Sequence, residues 1–253
     1  MTAIPPLGRT RSAVLVSAVC ALVVTGTGLT GCSSEDPDAG TNGVGKLSAE
    51  KIRSRARTTA DAAKAVRLSG SVVTNGRTYR LDMRLKGDGG TGSVTSKGAT
   101  FRLLRVGEHL FLKADAEFWS HQDGAGDDAG SDAAAADKLE GMYVKVPTGD
   151  PAYKRFSGFT DKDVLLDGLL TLHGALEKDG RHKVNGARTV RITAEEGAGG
   201  SLDVSLEGKP YPLLLVRAGD AGTLRLTDWG EDFALEEPPA KETVDYGQQL
   251  PAS

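Results

Sequence analysis

Between Arg77 and Lys86 apolar and charged residues alternate without a break: Tyr79, Leu81, Met83 and Leu85 fall on one parity, Arg80, Asp82, Arg84 and Lys86 on the other. Successive side chains of a strand point to opposite faces, so this pattern demands an antiparallel sheet with one face in water and one under an apolar cover. The preceding Asn75-Gly76 pair suits the two positive-φ positions of a type I′ turn. It makes Ser69–Thr74 and Arg77–Lys86 the arms of a hairpin.

The same period recurs along the chain. A strand is predicted over Gly92–Lys97, Phe101–Val106 and His109–Lys113 make a second hairpin about Gly107-Glu108, and Met142, Val144 and Val146 alternate with Tyr143 and Lys145. Further strands are predicted over Ala187–Ala194, with Val190 and Ile192 facing in, and over Leu202–Leu206, where the alternating residues are Asp203 and Ser205. Tyr211–Arg217 and Gly222–Asp228 complete the series. Pro210 and Pro212 place the start of Tyr211–Arg217 near a sheet edge or a bulge. Two segments have helical spacing instead. Ser48 caps a helix with Ile52, Ala56, Thr59, Ala63 and Val66 on one face, and Thr160, with Asp163 three residues on, caps another whose stripe is Val164, Leu165, Leu169 and Leu172. The fold class is therefore α+β: a single strongly curved antiparallel sheet of about ten strands, with helices covering its concave apolar face.

The N-terminal segment is an address. Arg9 and Arg11 precede an apolar run, Ala13–Val24, of about 12 residues, the length of a signal-peptide core and too short for a membrane span. Leu29-Thr30-Gly31-Cys32 then supplies the small residues and the cysteine of a lipobox. The expected organisation is a lipoprotein signal peptide over 1–31, a flexible polar tether over 32–46, one folded domain over 47–239 and a polar tail over 240–253. Cys32 is expected to carry a diacylglyceryl group and so to hold the protein on the extracytoplasmic face of the cell membrane. The chain has two cysteines. Cys20 leaves with the signal peptide, so no thiol remains for a disulfide or a metal. Asp123–Asp137, a run of Gly, Asp and Ala, reads as a solvated insertion ending in a helical turn near Ala134–Leu139.

Several chemistries find no support. A formal net charge of −3 with mixed signs argues against a nucleic-acid partner. His109, His121, His173 and His182 lack metal-ligand spacing, no Gly-x-Ser-x-Gly elbow is present, and the acid pairs Glu195-Glu196 and Glu236-Glu237 neighbour Gly or Pro in turns. The chain reads as a non-enzyme without a cofactor or metal. What remains is the inward parity of the sheet: Leu81, Met83, Leu85, Phe101, Leu103, Leu110, Leu112, Val144, Val190 and Ile192. Periodicity leaves two readings of this face open, a filled core and the wall of a ligand cavity.

Three stretches carry a resemblance to a known family. Ala65-Val66-Arg67-Leu68-Ser69-Gly70, Gly141-Met142-Tyr143-Val144-Lys145-Val146 and Leu224-Arg225-Leu226-Thr227-Asp228-Trp229-Gly230, in that order behind a lipobox, resemble the actinobacterial lipoproteins of the LppX/LprG group over Leu47–Pro239. The resemblance implies a LolA-like half-barrel whose concave face and helices enclose an apolar cavity for acyl chains, lined by the inward residues just named. It also implies a role in carrying or presenting a lipid or lipoglycan across the cell envelope. Two features depart from the group: Asp123–Asp137 has no counterpart, and few large aromatics fall on the inferred inner face. The function expected is thus a membrane-anchored lipoprotein that binds a lipid or other apolar ligand. The alternative is a surface-displayed lipoprotein with a packed core that meets an envelope protein partner.

Overall fold

The structure, a computed structural model, describes residues 38–115, 118–119, 138–245 and 247. Cys32, the signal segment, His121 and the Asp123–Asp137 run lie outside them. The strands are β1 (Ala65–Thr74), β2 (Arg77–Lys86), β3 (Gly89–Ser96), β4 (Ala99–Val106), β5 (His109–Ala114), β6 (Tyr143–Val146), β7 (Leu176–Val184), β8 (Ala187–Ala194), β9 (Gly200–Ser205), β10 (Pro212–Arg217), β11 (Gly222–Thr227) and β12 (Thr243–Asp245). They form one 12-stranded sheet in the order β12-β6-β5-β4-β3-β2-β1-β11-β10-β9-β8-β7. Every neighbouring pair is antiparallel except β12 and β6, which run parallel. The edges β7 and β12 do not pair with each other, so the curved sheet stays open as the half-barrel expected.

Register explains why the alternation is legible. Leu68 stands opposite Met83, Gly70 opposite Leu81 and Val72 opposite Tyr79, which collects the apolar parity on one face. On the other face Arg67 donates from Nε and Nη2 to the Asp82 carboxylate, each at 2.9 Å. Asn75 and Gly76 have φ of 50° and 69°, the two left-handed positions of a type I′ turn. The register slips between Pro212 and Leu214. The proline therefore marks a bulge, and β10 is an interior strand.

Three helices are described. In α1 (Ala49–Asp61) the buried residues are Ala49, Ile52, Ala56 and Ala60, small enough to lay the helix close against β7, β8 and β10. The helix ends at Asp61, and Val66 belongs to β1 instead of continuing the helical stripe. α2 (Pro151–Ser157) is absent from the sequence expectations; Pro151 opens it, and the Asp150 side chain accepts from the Ala152 N–H at 2.7 Å. α3 (Lys162–Leu169) is capped by Asp161, which accepts from the Asp163 and Val164 N–H groups. Thr160 is not the cap, because Arg105 claims it: Nε donates to its Oγ1 at 3.1 Å and Nη2 to its carbonyl at 3.0 Å. Val164 is 61% exposed, so the buried side of α3 is Leu166 and Leu169, continued by Leu170 and Leu172. Gly90 lets the linker between α2 and α3 approach the sheet: a Cβ there would sit 2.5 Å from Leu85 Cδ2 and 3.2 Å from the Thr160 carbonyl.

Both ends of the expected domain need correction. The tether expected to run to residue 46 is already structured at Asp38. The Asn42 N–H donates to the Leu206 carbonyl at 2.8 Å, its Nδ2 to Ser205 O at 3.0 Å, and its Oδ1 accepts from the Val44 N–H. Val44 and Gly45 are buried, and Lys178 Nζ donates to Gly45 O. A polar sequence can thus repay its ordering through hydrogen bonds to β7 and to the end of β9, which composition does not reveal. The polar tail expected over 240–253 is in part a strand, the end of a strap that begins inside the expected domain. After Trp229 it bonds Gly230 N–H to Ala65 O, sets Phe233 under the Arg84 guanidinium at 4.6 Å, joins Glu237 to His109, and ends in β12 beside β6. The unpaired donors and acceptors of β6 drive that last step.

Candidate functional site

The ten inward residues meet in one continuous core with the helix residues Ile52, Ala56, Leu166 and Leu169. Met83, Leu85, Leu103, Leu110 and Ile192 have 0% exposure, Leu81, Val144 and Val190 1%, Leu112 2% and Phe101 5%. A void large enough for water would leave accessible surface on its walls, so these side chains touch protein on all sides. They lie in a close-packed core, not around an empty channel. The physical reason is the small-residue face of α1 and the leucines of α3, which bring the helices down onto the sheet.

Space opens where the core ends. A pocket of about 400 Å³ lies at the turn ends of the β1–β2 and β3–β4 hairpins, lined by Arg77, Tyr79, Ser96, Lys97, Ala99 and Phe101 of the sheet. Phe118, Arg155, Phe156 and Phe159 close the other side. Four of the chain's six phenylalanines are therefore gathered at one site. The rings contact one another: Phe101 packs edge-on to Phe156 at 5.2 Å and tilted to Phe118 at 5.1 Å, and Tyr79 lies 5.9 Å from Phe159. Such pairs contribute about 0.5–1.5 kcal/mol each beyond area burial, enough to hold the walls in place without ligand.

Each wall has a local cause. Tyr79, Ala99 and Phe101 point inward by strand parity, with Phe101 opposite Val94 across β3–β4. Phe156 is the buried residue of α2, and Phe159 follows as the helix unwinds, its N–H bonded to Phe156 O at 3.1 Å. Phe118 is held by the Asp115 carboxylate, which accepts from its N–H at 2.8 Å. Trp119 packs edge-on behind Phe118 at 5.2 Å, and its buried indole Nε1–H has no hydrogen-bond partner among the described residues. At the rim the Arg155 guanidinium lies 4.6 Å from the centre of the Phe156 ring. Among the described residues no carboxylate lines the pocket.

Of the sequence-predicted lining, the structure puts Phe101 in this pocket and the other nine in the core around it. Tyr79 falls on the apolar parity but not among the expected lining, and Arg77, Ser96, Lys97, Ala99, Phe118, Arg155, Phe156 and Phe159 escaped sequence reasoning. The signal that could have found them is the clustering of aromatics just after β5 and after β6, outside the strands where an inner face is sought.

The crystal structure of LprF from Mycobacterium bovis superposes with a TM-score of 0.52 at 15% identity, over 75% of this chain and 96% of that one. The fold is similar to that of LprF. The chain thus has the half-barrel fold that its resemblance to the LppX/LprG group implies. The lipoprotein LppX from Mycobacterium tuberculosis is a further match, with a TM-score of 0.40 and 13% identity over 73% of this chain and 96% of that one. No family model and no curated protein matches the sequence.

Proposed function

We propose that this protein is a lipid-anchored extracytoplasmic binding protein that takes up an amphiphile through the aromatic pocket. The observation that carries the reading is the pocket itself: about 400 Å³ walled by five aromatic rings, within the range of small-molecule sites and at its lower end. That volume suits one acyl chain or one aromatic body better than a lipid with several chains. The inner-face residues Leu81, Met83, Leu85, Leu103, Leu110, Leu112, Val144, Val190 and Ile192 are then the floor against which the chain's end rests. A longer chain would have to part α2 and α3 from the sheet to reach them. Lipidation of Cys32, membrane attachment and residence outside the cytoplasm are part of the same proposal, supported by the lipobox and its leader.

A second reading, an envelope interaction protein without ligand, is favoured by the packed inner face. Native mass spectrometry of the mature protein carrying Cys32→Ser, purified without detergent, separates the two. The binding reading predicts a co-purified mass in the range of a single-chain amphiphile, lost on organic extraction. Protein at its bare mass, with no uptake of added fatty acid, leaves the interaction reading standing.

A further inference from the structure

We infer that the pocket selects amphiphiles whose polar end is an anion, a carboxylate or a phosphate, with Arg77, Lys97 and Arg155 as the recognising cations. The inference rests on the binding reading above and names its ligand class. Among the described residues the lining contains three cations and no acid. None of the three forms an ion pair among the described residues, although ion pairs are common elsewhere on this chain, as at Arg67–Asp82, Arg188–Glu207 and Arg191–Asp203. The carbonyls that end α2 do not offset this charge: Phe156 O and Ser157 O are taken by the N–H groups of Phe159 and Thr160. A mouth with one sign of charge above an aromatic floor raises the local concentration of an anion and orients its apolar part inward.

The β3–β4 turn gives an independent reason. Three hairpins have paired positive-φ residues at their tips: Asn75-Gly76, Asn185-Gly186 and Lys97-Gly98, with φ of 50° and 69°, 50° and 87°, and 53° and 88°. Asn tolerates the left-handed region because its short amide can bond locally, and it leads at the first position of type I′ turns. Two turns follow that rule. The one that lines the pocket has a lysine instead, so the position sacrifices turn stability and presents a charge at the mouth.

The test is competition against a fluorescent acyl probe on the mature Cys32→Ser protein, using four ligands of equal chain length: dodecyl phosphate, dodecanoic acid, dodecanol and dodecylamine. The two anions are expected to displace the probe at about tenfold lower concentration than dodecanol, a difference of about 1.4 kcal/mol, with dodecylamine weakest. Raising salt should narrow the gap. Lys97→Asn is expected to keep or raise the melting temperature while reducing the anion preference, and adding Arg77→Gln and Arg155→Gln should abolish it, bringing the anions and dodecanol to equal displacing concentrations. Equal displacement by all four ligands would overturn the anion inference and leave the binding reading intact. Failure of the parent protein to bind probe or any ligand would overturn both. Displacement by inorganic phosphate as effective as by dodecyl phosphate would mean a free-anion site and would also overturn the inference.

Discussion

Asp203 shows how a single residue departs from the pattern around it. Its place in β9 is on the parity that alternation assigns to water, yet it has no exposed surface. Arg191 Nε and Nη2 both donate to Oδ2, at 3.1 and 3.0 Å, and the Thr189 hydroxyl donates to Oδ1 at 3.0 Å. A buried carboxylate is tolerable only with such partners. Arg191→Ala should therefore destabilise the fold by about 2 kcal/mol, below the usual cost of orphaning a buried charge because the half-buried arginine leaves room for water. The Arg191→Met, Asp203→Leu double variant should recover most of that loss in urea denaturation. Val144 is the opposite case, an inward residue with 1% exposure. Val144→Phe has no space to fill and should cost about 1–3 kcal/mol, read as a fall in melting temperature.

Among the elements, those readable from sequence are the ones whose local chemistry decides them. The β1–β2 hairpin follows from Asn75-Gly76, and β2 from an alternation that a one-residue slip would turn inside out. β7 was not legible: as an edge strand it has one neighbour, its residues Glu177–Arg181 are exposed, and nothing in Leu176–Val184 alternates. α2 is seven residues long, too short for helical periodicity to stand out. The pocket was illegible for a related reason, since its walls come from three strands, a turn, a helix and two connecting segments, and no single stretch shows it. The C-terminal strap also needed the sheet before it could be seen. Its carboxylates make it sensitive to acid. Asp232 is held below its ordinary 3.8 by the Phe233 N–H first and then by Lys86, and Asp245 by the Gly247 N–H first and then by Lys145. Both groups have depressed pKa values in the folded protein, so their contribution is complete above pH 3.8 and fades as the pH falls through the depressed values. Hydrogen exchange at the β12 amides, corrected for intrinsic rate, should stay unchanged near neutrality and accelerate below that value before the central strands respond.

For the whole molecule, a close-packed half-barrel with an aromatic pocket at one set of hairpin ends is a different device from a hollow one. The packed core supplies stability with no cysteine among the described residues, and under the binding proposal a small amphiphile would enter and leave the pocket with little change in the sheet. Attachment is proposed to be by lipid alone, and no helix among the described residues is long and apolar enough to cross a membrane. Cys32→Ser should accordingly release the protein from the membrane fraction, whereas retention in carbonate and high salt would show a second attachment. The pocket is open to a sharper test, because Ala99 lines it with a side chain small enough to enlarge. Titration of a fluorescent acyl probe into Ala99→Phe tests the account most directly. The melting temperature should stay within about 2 °C of the parent, since the new ring enters open space, while probe affinity falls by about tenfold or more. Probe binding at parental affinity in the stable, folded Ala99→Phe protein would contradict the account.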